Sequence, residues 1–334
     1  MSSMSSVSSM SQGSCCLCFT LALIYSSTTL AKTYDQCLLQ QSRSADGNTT
    51  LKEIRAYCHD NAEEIKSPIE NRVSLEKKNR GNRFTITPHR PNYILPISYN
   101  TTPNRAPYKE DFPEENLANT EIKFQFSLKA PLSYGVFNGY GDLWVAYTNT
   151  SWWQAYNDNS APFRETNHEP EIFFTFPTDH SVLGANLDVV MLGFSHQSNG
   201  QSGSLSRSWN RLYANFVFTK DNFILSAKPW WRIPEPEKDT PTDPKGDDNP
   251  DIYNFMGYGE LGLAYKFNNH TLGVMLRNNL RKDNKGAVQL DWSFPINNRF
   301  RGYFQYFNGY GESLIDYDSH TRRFSIGVML TDWL

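Results

Sequence analysis

The stretch Ile122–Lys129, IKFQFSLK, decides the fold. Ile122, Phe124, Phe126 and Leu128 alternate with Lys123, Gln125, Ser127 and Lys129. An extended strand puts the first set on one face and the second on the other, whereas a helix would mix them around its axis. The same period continues outward along the chain. Leu143, Val145 and Tyr147 alternate with Trp144, Ala146 and Thr148; Ile172, Phe174 and Phe176 obey it, as do Val190, Leu192 and Phe194. Leu212, Ala214, Phe216 and Phe218 follow, then Phe324, Ile326, Val328 and Leu330. Less regular runs near 92–99, 223–231, 254–266, 270–279, 286–294 and 299–309 bring the strands to twelve, an even number.

A soluble sandwich can alternate too, but its strands run shorter and its outward residues are plainly polar. Here strands reach about ten residues, and the pairs Trp152/Trp153 and Trp230/Trp231 sit near strand ends as interfacial anchors would. The chain also stops on a strand, at Asp332–Trp333–Leu334. In lipid every backbone group must be paired internally, which a closed barrel achieves. The expected fold is therefore all-β, a 12-stranded antiparallel transmembrane β-barrel over residues 92–334 with a periplasmic N-terminal extension over 32–91. Aromatic residues at 14% of the chain suit it, and a net charge of −3 argues against a nucleic-acid partner.

Ahead of the extension, Cys15–Tyr25 is an apolar run too short to span a bilayer, and Thr29 and Ala31 offer small residues for a signal peptidase. Residues 1–31 read as a secretory signal peptide, although no Lys or Arg precedes the apolar run. Cleavage leaves Cys37 and Cys58 in an exported chain, a pair expected to form a disulfide. Within the extension a helix is expected from Pro68 to Lys78, capped by Ser67 and ending near Gly81.

A periplasmic N-terminus makes the loops at 155–168, 197–206 and 232–253 extracellular. At one of them parity selects a polar cluster. His196 and Ser198 continue the outward set of Val190, Leu192 and Phe194, and Asn210 heads the outward set Leu212, Ala214, Phe216 of the next strand. A hairpin centred near Gly203 pairs residues whose numbers sum to about 406, which sets Asn210 opposite His196. A histidine and a serine two apart are more often a polar turn than a catalytic pair. The same-face asparagine favours chemistry: Ser198 as nucleophile, His196 as base and Asn210 holding the imidazole tautomer, as in Cys-His-Asn proteases. No G-x-S-x-G elbow surrounds Ser198, which disfavours a soluble α/β hydrolase.

Several blocks together, HQSNGQSGSLSRSWNR (196–211), YTNTSWWQ (147–154), SAPFRETNHEPE (160–171), KPWW (228–231), NGYGESLIDYD (308–318) and GVMLTDWL (327–334), resemble the outer-membrane phospholipase A family of Gram-negative bacteria. The resemblance runs from about residue 92 to the C-terminus. It implies a calcium-dependent enzyme that cleaves acyl esters of phospholipids and lysophospholipids, works as a homodimer in the outer membrane and faces the outer leaflet. The family's catalytic residues fall on His196, Ser198 and Asn210. Its Ca²⁺ ligands map to the Gln201 carbonyl and Ser206 hydroxyl of one subunit and the Ser160 carbonyl of the other. Gln201 stands where relatives carry Arg, and Gly203 where some carry an acid. Asn149 matches a glutamine at the family's subunit interface and, lying among outward residues, is expected to pair across a dimer axis. Glu312 and Asp316 read as parts of a structured turn, and Arg164 and Glu165 as ordering the loop that holds Ser160. The competing function is a non-enzymatic barrel, a channel or adhesin, disfavoured because the inward set Lys123, Gln125, Lys129, Asp188 and Arg323 would plug a bore this narrow.

Overall fold

The computed structural model describes residues 34–44, 49–61, 68–80, 82, 85–109, 117–158, 161–240, 243, 245–297 and 299–331. The expected signal peptide over residues 1–31, together with Ser67, Gly81, Ser160 and the C-terminal 332–334, lies outside the described residues. The chain forms two compact units, residues 1–65 and 66–334.

In the first unit, α1 (Tyr34–Ser44) and α2 (Leu51–Asn61) are joined by the Cys37–Cys58 disulfide, with Cα atoms 5.6 Å apart. The bridge packs with Ile54 and Leu38. A capping box starts α2: the Thr50 N–H donates to Glu53 Oε2 at 2.8 Å while the Glu53 N–H donates back to Thr50 Oγ1.

The second unit is the barrel. A two-residue strand, β1 (Thr87–Pro88), is followed by twelve long ones: β2 (Asn92–Asn100), β3 (Thr120–Ser133), β4 (Asp142–Trp153), β5 (Phe163–Val182), β6 (Ala185–Ser198), β7 (Ser208–Lys220), β8 (Phe223–Arg232), β9 (Gly259–Phe267), β10 (His270–Asn278), β11 (Gly286–Pro295), β12 (Arg301–Gly309) and β13 (Thr321–Thr331). Each pairs antiparallel with its sequence neighbour, and β13 pairs with β2 to close the ring. Closure leaves no unpaired edge. At one rim the hairpins β5–β6, β7–β8 and β9–β10 turn in two residues, with positive φ at Leu183, Asp221 and Asn268. The other rim carries the long connections.

Alternation behaves as expected. Phe126, Leu192 and Leu212 are 51%, 46% and 47% exposed on the outer wall, while Lys123 and Arg323 are 3% and 1% exposed in the bore. Two boundaries and one set of side-chain directions differ from expectation. Strand β5 begins at Phe163, so the 155–168 loop shrinks to 154–162. Residues 254–258 precede β9 instead of opening it, because Tyr253–Met256 winds into a helical turn, α4. Of the four tryptophans expected at the membrane interface, Trp152 and Trp230 point into the bore, since consecutive strand residues must face opposite ways; Lys123 lies over Trp152 and Trp209 packs edge-on to Trp230.

The bore is filled from both ends. Helix α3 (Pro68–Lys78), formed where the sequence predicts it, belongs to this unit. Its Ile69 packs against the inward residues Val217, Ile224 and Ala264, and Glu76 Oε1 accepts from Lys129 Nζ at 2.8 Å. From the long-loop rim, residues 310–320 fold in: Glu312 pairs with Lys123 and Arg323, and Asp316 with Arg164. Glu121 pairs with both Arg164 and Arg323. Between them remains a cavity of about 520 Å³, whose lining includes the charged residues Arg90, Lys228, Glu260, Arg277 and Asp291.

Burial alone would raise the Glu312 carboxyl, but Arg323 and Lys123 hold it down to about 2. Its stabilising contribution is complete above the ordinary carboxylate range and is lost only as the pH falls toward about 2. Replacing Glu312 with Ala removes the carboxylate paired with buried Lys123 and one of the two paired with Arg323, and should cost about 3–5 kcal/mol. Thermal unfolding in detergent measures it; an unchanged melting temperature would show that the network is not what holds the loop in the bore.

Candidate active site

The outward parity of β6 and β7 brings two of the predicted residues together. His196 and Asn210 are direct cross-strand partners, and His196 Nδ1 lies 2.9 Å from Asn210 Oδ1. The pair sits at the long-loop end of the wall, half-buried, beyond the exposed Leu192 and Leu212. Ser198 is two residues along the same strand and so on the same face, paired to Ser208 on β7 and to His168 on β5. The arrangement has the parts of an acyl-transfer site: a hydroxyl, an imidazole on the same face and an amide oxygen at the imidazole's far nitrogen.

The loop after β6 is shaped by Asn199, which no spacing rule singles out. Its backbone N–H donates to the Arg207 carbonyl at 3.0 Å and its Oδ1 accepts from the N–H groups of Arg207 and Gln201 at 2.9 and 3.3 Å. Its Nδ2 donates to the Leu205 carbonyl and to Glu165, a buried carboxylate of β5 that also accepts the Ile315 N–H. Gly200 follows with φ +65°, a left-handed turn that glycine adopts without strain. Of the residues proposed for calcium, Gln201 is exposed at this turn and the Ser206 hydroxyl donates to Asp248 Oδ2 at 2.9 Å; the third, Ser160, is outside the described residues. Arg164 and Glu165 serve the bore and the 199–207 loop respectively.

Asn149 faces outward on β4 as parity requires, and pairs across the sheet with His168, which in turn pairs with Ser198. One row of outward polar residues thus crosses the wall from Asn149 to the serine. Within it the Tyr147 hydroxyl lies 2.6 Å from His168 Nδ1, and Asn149 Nδ2 lies 3.4 Å from the same nitrogen. Sequence reasoning overlooked His168 because a lone histidine in a polar segment carries no period. It also overlooked Glu235, which accepts from Asn210 Nδ2 at 2.9 Å across 25 residues of chain.

With the site in view, comparison with known proteins is decisive: the family model described as Phospholipase A1 matches residues 69–330. The chain belongs to that family. Phospholipase A1 of Escherichia coli strain K12 is 39% identical over 252 residues, covering 75% of this chain and 83% of the relative. The Klebsiella pneumoniae enzyme is 38% identical over the same length and covers 84% of its own. Among solved structures, outer membrane phospholipase A from Escherichia coli superposes with a TM-score of 0.69 at 38% identity, covering 76% of this chain and 94% of that one. A Salmonella typhi outer membrane phospholipase dimer with bound calcium gives 0.69 at 38% identity, covering 75% and 94%. An asparagine-to-alanine active-site mutant of the Escherichia coli protein gives 0.71 at 36% identity, covering 78% and 98%.

Replacing Asn199 with Ala removes the acceptor of two loop N–H groups and should speed amide exchange at Gln201 and Arg207, with little change in the strands. Hydrogen exchange read by mass spectrometry checks this; unaltered protection across 200–207 would mean that the loop is held by something else.

Proposed function

We propose that this chain is a calcium-dependent outer-membrane phospholipase that hydrolyses acyl esters of phospholipids and lysophospholipids with Ser198, His196 and Asn210. The observation that carries the assignment of residues is the 2.9 Å contact between His196 Nδ1 and Asn210 Oδ1 on the outside of the barrel. A soluble hydrolase hides its nucleophile in a cleft; this one presents it where lipid lies, beside an apolar wall that includes Leu192 and Leu212. The active-site asparagine of the Escherichia coli relative lends the same role to Asn210.

With Nδ1–H directed at Asn210, the Nε2 lone pair of neutral His196 is free to take the Ser198 proton as the hydroxyl attacks the ester carbonyl. The imidazolium returns the proton to the departing alcohol, and the acyl-serine is released by water activated at the same nitrogen. Asn210 stabilises the imidazolium less than a carboxylate would, but it orients the ring. The Gly200 N–H is the candidate backbone donor for the developing oxyanion, since those of Asn199 and Gln201 are bound within the loop.

Calcium accepts hydroxyl and carbonyl oxygens, and the donors present fit it: the Gln201 carbonyl and Ser206 hydroxyl share the loop ordered by Asn199, and the Asp248 carboxylate adjoins Ser206. When bound there, calcium would supply positive charge to stabilise the oxyanion. Ser160 of a second subunit completes the proposed ligand set. The calcium-bound dimer of the Salmonella typhi relative supports a homodimer; the outward position of Asn149 suits pairing across its axis. The rim of two-residue turns would face the periplasm, with residues 1–31 removed as a signal peptide. The channel alternative fares worse, since α3 and the 310–320 loop fill the bore.

Ser198→Ala should lower calcium-stimulated release of fatty acid from phospholipid micelles at least about a thousandfold. EDTA should abolish wild-type turnover while the barrel stays folded by circular dichroism. Equal rates in wild type and variant, or a rate indifferent to EDTA, would remove the reading.

A further inference from the structure

Asparagine is an ambiguous third member of a catalytic trio. Its amide can present either oxygen or nitrogen to the histidine, and only the oxygen holds Nδ1–H and leaves Nε2 basic. Something must choose. Asn210 Nδ2 donates to Glu235 Oε1 at 2.9 Å on the side away from His196. An ionised carboxylate only accepts hydrogen bonds, so it compels the NH₂ group to face it and the oxygen to face the imidazole.

The chain places Glu235 there by continuing the ladder beyond β8. Trp231 on β8 is outward and opposite Leu212, and the Ile233 N–H donates to the Asn210 carbonyl at 2.8 Å, so the next outward position is 235. Pro234 and Pro236 flank Glu235, which restricts its backbone to extended conformations. The Pro236 carbonyl is further tied by the Asp247 N–H at 2.8 Å. The carboxylate is therefore held in place before substrate arrives.

We infer that Glu235 is a positioning residue that converts the Ser-His-Asn trio into a Ser-His-Asn-Glu relay, fixing the Asn210 amide and through it the His196 tautomer. Its contact is with Asn210, and it acts through that amide. Its negative charge also polarises the amide oxygen toward His196, so part of the imidazolium stabilisation that asparagine lacks relative to aspartate is restored at one remove. This inference rests on the catalytic assignment proposed above.

Two readouts test it: steady-state hydrolysis, and the rate constant with which a sulfonyl fluoride modifies Ser198, which reports serine reactivity independently of the folded fraction. Glu235→Ala should lower kcat and the modification rate about tenfold with KM unchanged, the scale of one hydrogen bond to a charged group. Glu235→Gln keeps an acceptor for Asn210 Nδ2 but loses the charge and the acceptor-only character, and should recover only part of the loss. In an Asn210→Ala background, Glu235→Ala should have no further effect, because the route to His196 is already cut. A Glu235→Ala protein with wild-type kcat and modification rate, or one that loses the same factor in the Asn210→Ala background, overturns the relay. Ser198→Ala run alongside separates the two failures: if that variant keeps wild-type activity, the catalytic assignment itself is at fault.

Discussion

A closed ring of antiparallel strands leaves each side chain two places to point, outward or into the bore, and the rest of this molecule follows from that restriction. The restriction itself comes from the backbone: with all twelve long strands paired to both neighbours, no N–H or C=O row is left facing an apolar medium. Apolar residues then occupy the outer wall, and charged ones such as Glu121, Lys123, Arg164 and Arg323 are confined within, where they satisfy one another. His196, Ser198 and Asn210 are exceptions to the outward rule, polar side chains on the apolar side, and they stand together at one rim.

Parity made much of this legible without coordinates. The runs ending in Phe194 and beginning at Asn210 are apolar on every second residue, so their faces and register follow from counting, and the His196–Asn210 pairing emerged at the residue level. The counting fails where its signal vanishes. From 165 to 171 the inward residues of β5 are Glu165, Asn167, Glu169 and Glu171, and the outward ones Thr166, His168 and Pro170; nothing apolar alternates, so the strand looks like loop. A bulge at Arg164 shifts the phase once more, with Trp153 pairing to Phe163. Tryptophan is ambiguous for another reason, since its ring suits both an interface and a packed bore, and Trp152 and Trp230 take the second.

Contacts made by irregular segments were beyond reach for a different cause. Glu235 meets Asn210, Asp248 meets Ser206, and Glu312 reaches Arg323 only because particular loops fold back over the rim. Their partners lie from 11 to 42 residues away and obey no period. The site is thus a composite: strand register fixes the histidine and asparagine, while the surrounding loops supply the groups that orient them and the oxygens suited to a cation.

The ionic lattice inside the cylinder also constrains assembly. A single hairpin entering the bilayer would carry Lys123 without its ion-pair partner, because Glu312 arrives near the end of the chain. Threading strands into lipid one after another is therefore closed off to this sequence. The wall has to curl around its own charges as it enters, so insertion and ring closure become a single event that waits for the C-terminal strands.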